Sequence, residues 1–190
     1  CVWAAKKVGR PVKWTADRTE AFLSDAHGRD HITHGELALD DKGKILGFRV
    51  KTKANLGAYL STFSSCVPTY LYAPLLSGQY DIPAIYCEVD AVYTNTVPVD
   101  AIRGAGKPEA LFLLERLIDI AAHETKRSPA DLRRLNLLTA ADMPYKAASG
   151  YTYDAADCPH LFEQALKVAD EAGFPARRAA SEKTGLRRGI

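Results

Sequence analysis

The chain has 190 residues, of which 47% are hydrophobic and 25% are charged, a composition typical of a folded globular protein. It excludes collagen-like, coiled-coil and intrinsically disordered chains. The 25 Lys and Arg residues against 23 Asp and Glu residues leave a formal net charge of +2, which gives no support to nucleic-acid binding. Because no apolar run approaches the roughly 18 residues of a membrane span and no signal-peptide pattern is present, we predict a cytoplasmic protein.

The cysteine pattern indicates neither a metal site nor a disulfide framework. The four cysteines are far apart in sequence, without zinc-site spacing: Cys1, Cys66, Cys87 and Cys158. We therefore expect reduced thiols that pack mostly as small buried apolar side chains.

Short elements are predicted in the first 30 residues. Residues 2–8 have the pattern of a helix that ends at Gly9, and residues 11–15 alternate like a short strand. Residues 17–20 contain capping residues that predict the start of a further helix. Both edges of the chain look cut, so we expect an internal fragment of a larger protein.

Two alternating runs, at residues 31–39 and 45–53, predict a β-hairpin closed by the Asp- and Gly-containing connection at 40–43. Strict alternation assigns side chains to faces by parity. Four apolar residues of this hairpin are therefore not expected to share one face: Leu37, Leu39, Ile45 and Phe48.

After the hairpin, residues 55–78 lack sustained periodicity, which indicates partly buried irregular structure or a short helix. Residues 86–93 alternate again and predict a third strand. We expect residues 94–107 to form a loop before a helix that begins near Pro108, with Gly104 or Gly106 at positive φ.

Helices dominate the rest of the predicted chain. A cap at Ser128 precedes one short helix, and residues 157–159 precede another that is expected to end at Gly173. The inward residues expected on that last helix are Leu161, Ala165, Leu166 and Val168. Strands first and helices later predict an α+β fold, a mixed or antiparallel sheet followed by helices. Residues 1–138 are expected to form the core and residues 139–190 a linker with C-terminal helices.

The most informative segment for chemistry is the loop at 103–106, which reads Arg-Gly-Ala-Gly. Two glycines let a backbone approach a ligand closely, and the helix that follows directs free N–H groups towards the loop. The pattern indicates an anionic or oxo-bearing ligand. The alternative is a tight structural turn, with Arg103 solvated or paired to a carboxylate. Neither a P-loop nor a dinucleotide motif fits, because Pro108 follows Lys107 and Glu109 replaces the third glycine.

Seven segments form a further pattern along the chain: 8–14, 17–18, 27–30, 55–59, 93–95, 101–109 and 133–137. Together they resemble the molybdenum-binding large subunit of the xanthine dehydrogenase, aldehyde oxidase and carbon monoxide dehydrogenase family. The segments stand in the family's order and spacing over most of the first 140 residues, and the chain would be about a quarter of such a subunit.

The resemblance implies a molybdenum-pyranopterin cofactor, usually the cytosine dinucleotide form in bacteria, and base-assisted hydroxylation of a carbon in an aldehyde, N-heterocycle or similar small molecule. It implies as partners the remainder of the large subunit, an FAD-binding medium subunit and a 2Fe-2S small subunit. It makes Arg103, Gly104, Ala105 and Gly106 cofactor-binding candidates. It places no direct metal ligand and no catalytic residue in this fragment, which we expect to be inactive alone.

Two departures from the family pattern argue against particular substrates. Copper-containing carbon monoxide dehydrogenases have a Cys where this chain has Gly104, so carbon monoxide oxidation is disfavoured even though the chain resembles their large chains. Xanthine-oxidising members have a Phe in place of Ala105, so purine specificity is also disfavoured. Arg29 resembles an arginine that contacts substrate in some members, although it is equally suited to pairing with Asp30 or Asp25.

Two further readings stay open at the level of sequence. His27, His31 and His34 lie close together, but period-2 geometry allows only His27 and His31 to share a face, so exposed or hydrogen-bonded histidines are expected. The alternative to an enzyme is a non-catalytic scaffold or interaction module that has kept the fold.

Overall fold

The computed structural model describes residues 1–190 and is built around a three-stranded sheet. Strands β1 (His31–Leu39), β2 (Ile45–Gly57) and β3 (Ile85–Tyr93) lie in the order β1-β2-β3. β1 pairs with β2 antiparallel, and β2 pairs with β3 parallel. The predicted hairpin and third strand are confirmed, and the sheet is mixed, one of the two arrangements predicted for this α+β fold.

The prediction about the faces of the hairpin is wrong. Ala38 pairs with Gly47 but Leu39 pairs with Ile45, so Leu46 is an extra, unpaired residue of β2. Such a β-bulge reverses the parity of the residues beyond it. Four apolar side chains therefore contact the same core cluster: Leu37, Leu39, Ile45 and Phe48.

Six helices accompany the sheet. They are α1 (Val2–Val8), α2 (Arg18–Ser24), α3 (Lys107–Glu124), α4 (Pro129–Asn136), α5 (Cys158–Ala169) and α6 (Phe174–Glu182). Two-residue strands β4 (Tyr145–Lys146) and β5 (Thr152–Tyr153) form a small antiparallel pair. Helix α1 ends at Gly9 in the left-handed conformation, α2 begins with a capping box of Asp17 and Glu20, and Ser128 caps α4. None of the helices is long and apolar enough to cross a membrane.

Helix α3 covers one face of the sheet. Its buried residues recur at helical spacing. Strand β1 lies so close to this helix at Gly35 that an added Cβ would be 2.8 Å from the Leu117 side chain. The segment between β2 and β3 adds buried aromatic and aliphatic side chains and includes a 3₁₀ turn at Ala73–Leu75, as the irregular sequence there predicts. The buried α3 residues are Ala110, Leu114, Ile118 and Ala122.

Asn136 connects the end of α4 to the hairpin and is almost completely buried. Its side-chain oxygen accepts the Ile45 amide at 2.9 Å, and its Nδ2 donates to the carbonyls of Gly43 at 3.0 Å and Leu132 at 2.9 Å. A buried amide with three good partners fixes the relative position of two elements. The turn of the hairpin is thereby held against α4.

Two other predicted details are wrong. Residues 11–15 form no strand, because their backbone has no strand to pair with in the structure. Helix α5 ends at Ala169, where Asp170 adopts a left-handed conformation, and Gly173 ends the 3₁₀ turn that follows. Of its predicted inward residues, Leu161, Ala165 and Val168 are exposed and only Leu166 is half-buried. The contacts of α5 with the core are made by Cys158 and Phe162, four residues apart.

Candidate functional site

The Arg-Gly-Ala-Gly segment lies in a loop between β3 and α3, as predicted. Gly104 has φ 101° and Gly106 has φ 84°, so both glycines occupy the left-handed region. Helix α3 begins at Lys107, with Gly106 as its N-cap residue and Pro108 in its first turn. The loop therefore ends at the N-terminus of an 18-residue helix.

Close packing explains why the loop needs both glycines. A Cβ on Gly106 would overlap the Leu71 carbonyl group, and one on Gly104 would lie 2.9 Å from the Pro108 ring and 3.4 Å from Arg29 Nη2. Since backbone and a proline ring cannot yield as a flexible side chain does, other residues at these positions would displace the loop. The loop is held between the 58–78 segment and the start of α3.

The beginning of the loop is anchored through Asp100. Its carboxylate accepts the Ser61 hydroxyl, the Phe63 amide at 3.1 Å and the Ala101 amide at 2.6 Å. The hydrogen bond from Ser61, followed by those from backbone amides, lowers the pKa of Asp100 below its usual value. The Asp100 amide in turn donates to the His27 carbonyl at 2.7 Å. The loop is thus tied to two segments that are distant in sequence.

Arg29 reaches the loop from the segment before β1. Its Nη2 donates to the Arg103 carbonyl at 2.6 Å, and its Nε lies 3.8 Å from Glu109 Oε2. The expected alternative of pairing with Asp30 or Asp25 is wrong, because the guanidinium turns towards the loop and α3. A contact between Arg29 and substrate stays a prediction.

Glu109 was not singled out from the sequence, yet it is the acidic residue closest in sequence to the loop on its C-terminal side. Its side chain is only 9% exposed, and neither carboxylate oxygen accepts a hydrogen bond. The Nδ1 atom of His31 is likewise buried and without a partner, and burial lowers the pKa of this imidazole, with Glu109 opposing the shift. The sequence feature that could have identified Glu109 is its position in the first turn of the predicted helix, where a carboxylate interacts favourably with the helix dipole.

Three backbone amides of the loop have no acceptor within the chain: those of Arg103, Gly104 and Gly106. The neighbouring amides are used, since Ala105 donates to Ile102 at 2.8 Å and Lys107 donates to Gly104 at 2.9 Å. The Arg103 side chain is exposed and forms no ion pair, which is the solvated arrangement named in the alternative of a structural turn. Unused N–H groups beside a helix N-terminus favour an anionic or oxygen-rich ligand.

A cavity of about 430 Å³ adjoins the loop at Ala105. Half-buried Ala105 contributes only a methyl group to its wall. The other lining residues are largely aromatic or aliphatic, with a polar contribution from the 149–151 turn: Tyr70, Leu71, Pro74, Leu75, Ser149, Gly150 and Tyr151. The loop therefore offers free amide donors on three of its residues, and its fourth residue, Ala105, adds a small side chain to the wall of a mostly apolar cavity.

The remaining candidates do not form a second site. No group of three or more His, Cys, Asp or Glu residues is placed to hold a metal ion. All four cysteines are free thiols, but the expected burial is only partial: Cys1 is exposed, and the other three are half-buried. His34 is exposed and contacts Glu36 at 3.2 Å, and the His27 backbone pairs with the 98–100 segment. The histidines therefore do not converge.

Comparison with known proteins agrees with the indication from the loop that this chain binds an anionic or oxygen-rich ligand. The chain matches the molybdopterin cofactor-binding domain family over residues 1–137. It is 40% identical over 179 residues to the carbon monoxide dehydrogenase large chain of Hydrogenophaga pseudoflava, covering 90% of this chain and 21% of the relative. It is 36% identical over 197 residues to the 6-hydroxypseudooxynicotine dehydrogenase complex subunit gamma of Paenarthrobacter nicotinovorans, covering 99% and 25%.

Solved structures of similar fold come from the same group of enzymes as these sequence relatives. Quinoline 2-oxidoreductase from Pseudomonas putida 86 superposes with a TM-score of 0.88 at 29% identity, covering 96% of this chain and 23% of that chain. Carbon monoxide dehydrogenase from Oligotropha carboxidovorans superposes with a TM-score of 0.84 at 30% identity, with the same coverage. The chain thus spans about a quarter of the length of the relatives it matches. On the match of residues 1–137, it belongs to the molybdopterin cofactor-binding domain family.

Proposed function

We propose that this chain is the segment of a molybdenum hydroxylase large subunit that contributes the loop 103–106 to a molybdenum-pyranopterin cofactor. The observation that carries the proposal is the set of three unpaired amides, on Arg103, Gly104 and Gly106, in a glycine-shaped loop at a helix N-terminus. The relatives are named as oxidoreductases, so the alternative of a non-catalytic scaffold is not favoured.

The residues present fit such a group. Pyranopterin phosphates and the oxygen ligands of molybdenum are hydrogen-bond acceptors, which match free N–H donors and the positive end of the α3 dipole. The absence of side chains at Gly104 and Gly106 gives the group access to the backbone. When bound, the cofactor supplies a redox centre that takes up two electrons as a substrate carbon is hydroxylated.

The chain's own contribution is binding and orientation. The loop amides donate hydrogen bonds to the cofactor, and Asp100, Ser61 and Arg29 hold the loop in the donating conformation. No residue of this fragment is proposed as a catalytic acid or base. Molybdenum would have no direct protein ligand in this chain, and the base of the reaction would come from elsewhere in the subunit.

Substrate preference follows from two small residues. Gly104 has no thiol, so it provides no sulfur ligand for a second metal, and Ala105 leaves open the cavity of about 430 Å³. We propose an aldehyde or an N-heterocycle as substrate. The N-heterocycle is supported by relatives named quinoline 2-oxidoreductase and nicotine 6-hydroxylase.

We also propose the cytosine dinucleotide form of the cofactor, a cytoplasmic location, and assembly with an FAD-binding and a 2Fe-2S subunit. The relative named subunit gamma of a dehydrogenase complex supports a multi-subunit assembly. These finer proposals are tested by identifying the nucleotide that acid releases from the purified complex, and by its flavin and iron content.

The central experiment compares the full-length subunit with a variant that lacks residues 104–106. We expect molybdenum in the intact subunit, loss of most of it in the deletion variant, and circular dichroism that is largely unchanged. The 190-residue chain alone should retain no molybdenum and reduce no dye with any aldehyde or N-heterocycle, because one loop provides too few contacts for a large cofactor. Full molybdenum loading of the deletion variant contradicts the proposal.

A further inference from the structure

Glu109 and Arg29 form a connected pair behind the loop, outside the row of free amides. The Glu109 carboxylate is 9% exposed and accepts no hydrogen bond, and the cation paired with it is the Arg29 guanidinium, with 3.8 Å between Nε and Oε2. A buried carboxylate is costly without a compensating cation. Glu109 therefore holds the Arg29 guanidinium at the start of α3.

The other end of the same guanidinium holds the loop. Arg29 Nη2 donates to the Arg103 carbonyl at 2.6 Å, in a charge-assisted hydrogen bond. The guanidinium also lies beside Gly104, where an added Cβ would be 3.4 Å from Nη2. Arg29 itself has φ 60°, a conformation that residues other than glycine rarely adopt. This unusual backbone conformation occurs at the residue whose side chain contacts the loop.

We propose that Arg29 and Glu109 are positioning residues, which fix the backbone of the loop 103–106 so that its free amides face the cofactor, and that Arg29 is not a substrate ligand. The inference deepens the proposed function and rests on it. A guanidinium suits this role, because its planar fork donates to the Arg103 carbonyl while its charge lies beside the Glu109 carboxylate. The lysine ammonium lacks that fork.

The test uses the full-length subunit with the variants Arg29→Ala, Arg29→Lys and Glu109→Gln. Arg49→Ala is the matched control, because Arg49 pairs with Glu36 on the sheet, away from the loop. Two quantities are measured: molybdenum per polypeptide, and amide hydrogen exchange of peptides covering residues 102–107 in protein from molybdate-free cultures. The second quantity reports the loop without the cofactor.

We expect Arg29→Ala to accelerate exchange in this loop by about tenfold and to lower molybdenum content several-fold. Arg29→Lys and Glu109→Gln should shift both quantities in the same direction by less, and Arg49→Ala should shift neither. The effects of Arg29→Ala and Glu109→Gln should be non-additive in the double variant, because each breaks the same link. If Arg29→Ala fails to fold, Arg29→Lys decides the question.

Wild-type exchange and molybdenum content in Arg29→Lys and Glu109→Gln overturn the proposal. A variant with normal loading and only a raised KM instead identifies Arg29 as a substrate ligand. Failure of the proposed function is a separate result: the unaltered subunit then holds no molybdenum. In that case the exchange rates of the metal-free protein still decide whether Arg29 and Glu109 fix the loop.

Discussion

The two parts of the chain on either side of residue 138 differ in how they bury their side chains. Most of the buried apolar residues lie between Ile45 and Leu138, whereas residues 139–190 contribute only Ala147 and Ser181 to the buried set. Helices α5 and α6 have largely exposed surfaces, with α5 contacting the core mainly through Cys158 and Phe162. Rigid surroundings for the candidate cofactor loop therefore come from the first part.

The largest contrast is expected between two glycines with similar backbone angles. Gly106, in the first part, has φ 84°, and Gly150, in the second, has φ 92°. Alanine costs about 1–2 kcal/mol in this conformation at either position. Only at Gly106 does the added Cβ collide with the Leu71 carbonyl, so we expect Gly106→Ala to lower the free energy of unfolding by about 4 kcal/mol in total.

Urea unfolding of the two variants measures this contrast. Gly150→Ala serves as the control because nothing lies within 4 Å of its added Cβ. Equal losses at the two positions would show that backbone conformation alone matters and that the packing around the loop does not.

A second contrast concerns two asparagines. Asn136→Ala leaves the Ile45 amide and the Gly43 carbonyl without their buried partner, and we expect a loss of about 3 kcal/mol in the free energy of unfolding. Asn95 is exposed and forms no side-chain hydrogen bond, so Asn95→Ala is expected to be neutral. Denaturant unfolding measures the free energy of unfolding of both variants. An unchanged value for Asn136→Ala would show that the hydrogen bonds between α4 and the hairpin do not stabilise the fold.

The elements that sequence reasoning predicted well are those with local signals. The hairpin has alternation and an Asp/Gly turn, α2 has a capping box, and the loop before α3 has two glycines followed by Pro108. In each case the physical cause acts within a few neighbouring residues, so the sequence alone contains it. The division of the chain at residue 138 and the roles of residues 103–106 stay predictions.

The elements that sequence reasoning missed depend on distant partners. The bulge at Leu46 is a property of the pairing of two strands, and parity within either strand gives no sign of it. Periodicity predicted α5, but which face of a helix is buried depends on the elements packed against it, and Leu161 and Val168 are exposed in this chain. The contact of Arg29 with Glu109 joins residues 80 positions apart, 109 − 29.

A smaller contrast is expected between two adjacent arginines of α4. Arg133 has a side chain only 14% exposed and pairs with Glu115 at 2.8 Å and Asp119 at 2.9 Å on α3. Arg134 pairs with Glu163 of α5 at the surface. Arg133→Ala should destabilise the chain by about 2 kcal/mol, because it leaves two carboxylates without their partly buried cation.

Arg134→Ala should change stability by no measurable amount, since solvent screens exposed pairs. Thermal unfolding at low and high salt separates the two effects. A large, salt-sensitive loss for Arg134→Ala would mean that α5 is held to the core by charge rather than by Phe162.

The smallest effect is expected from His31, which packs edge-on against Tyr72. Burial lowers the pKa of His31 below its usual 6.5, while the nearby carboxylates of Glu109 and Asp30 oppose the shift. The unfolded chain therefore binds more protons than the folded chain as the pH falls from about 6.5 towards the lowered pKa. Stability is complete above this window and is lost as the pH decreases through it, by at most about 1.4 kcal/mol per pH unit. In unfolding measurements from pH 5 to 8, His31→Gln should flatten this slope; an unaltered slope in His31→Gln would show that the imidazole has the same pKa in the folded and the unfolded chain.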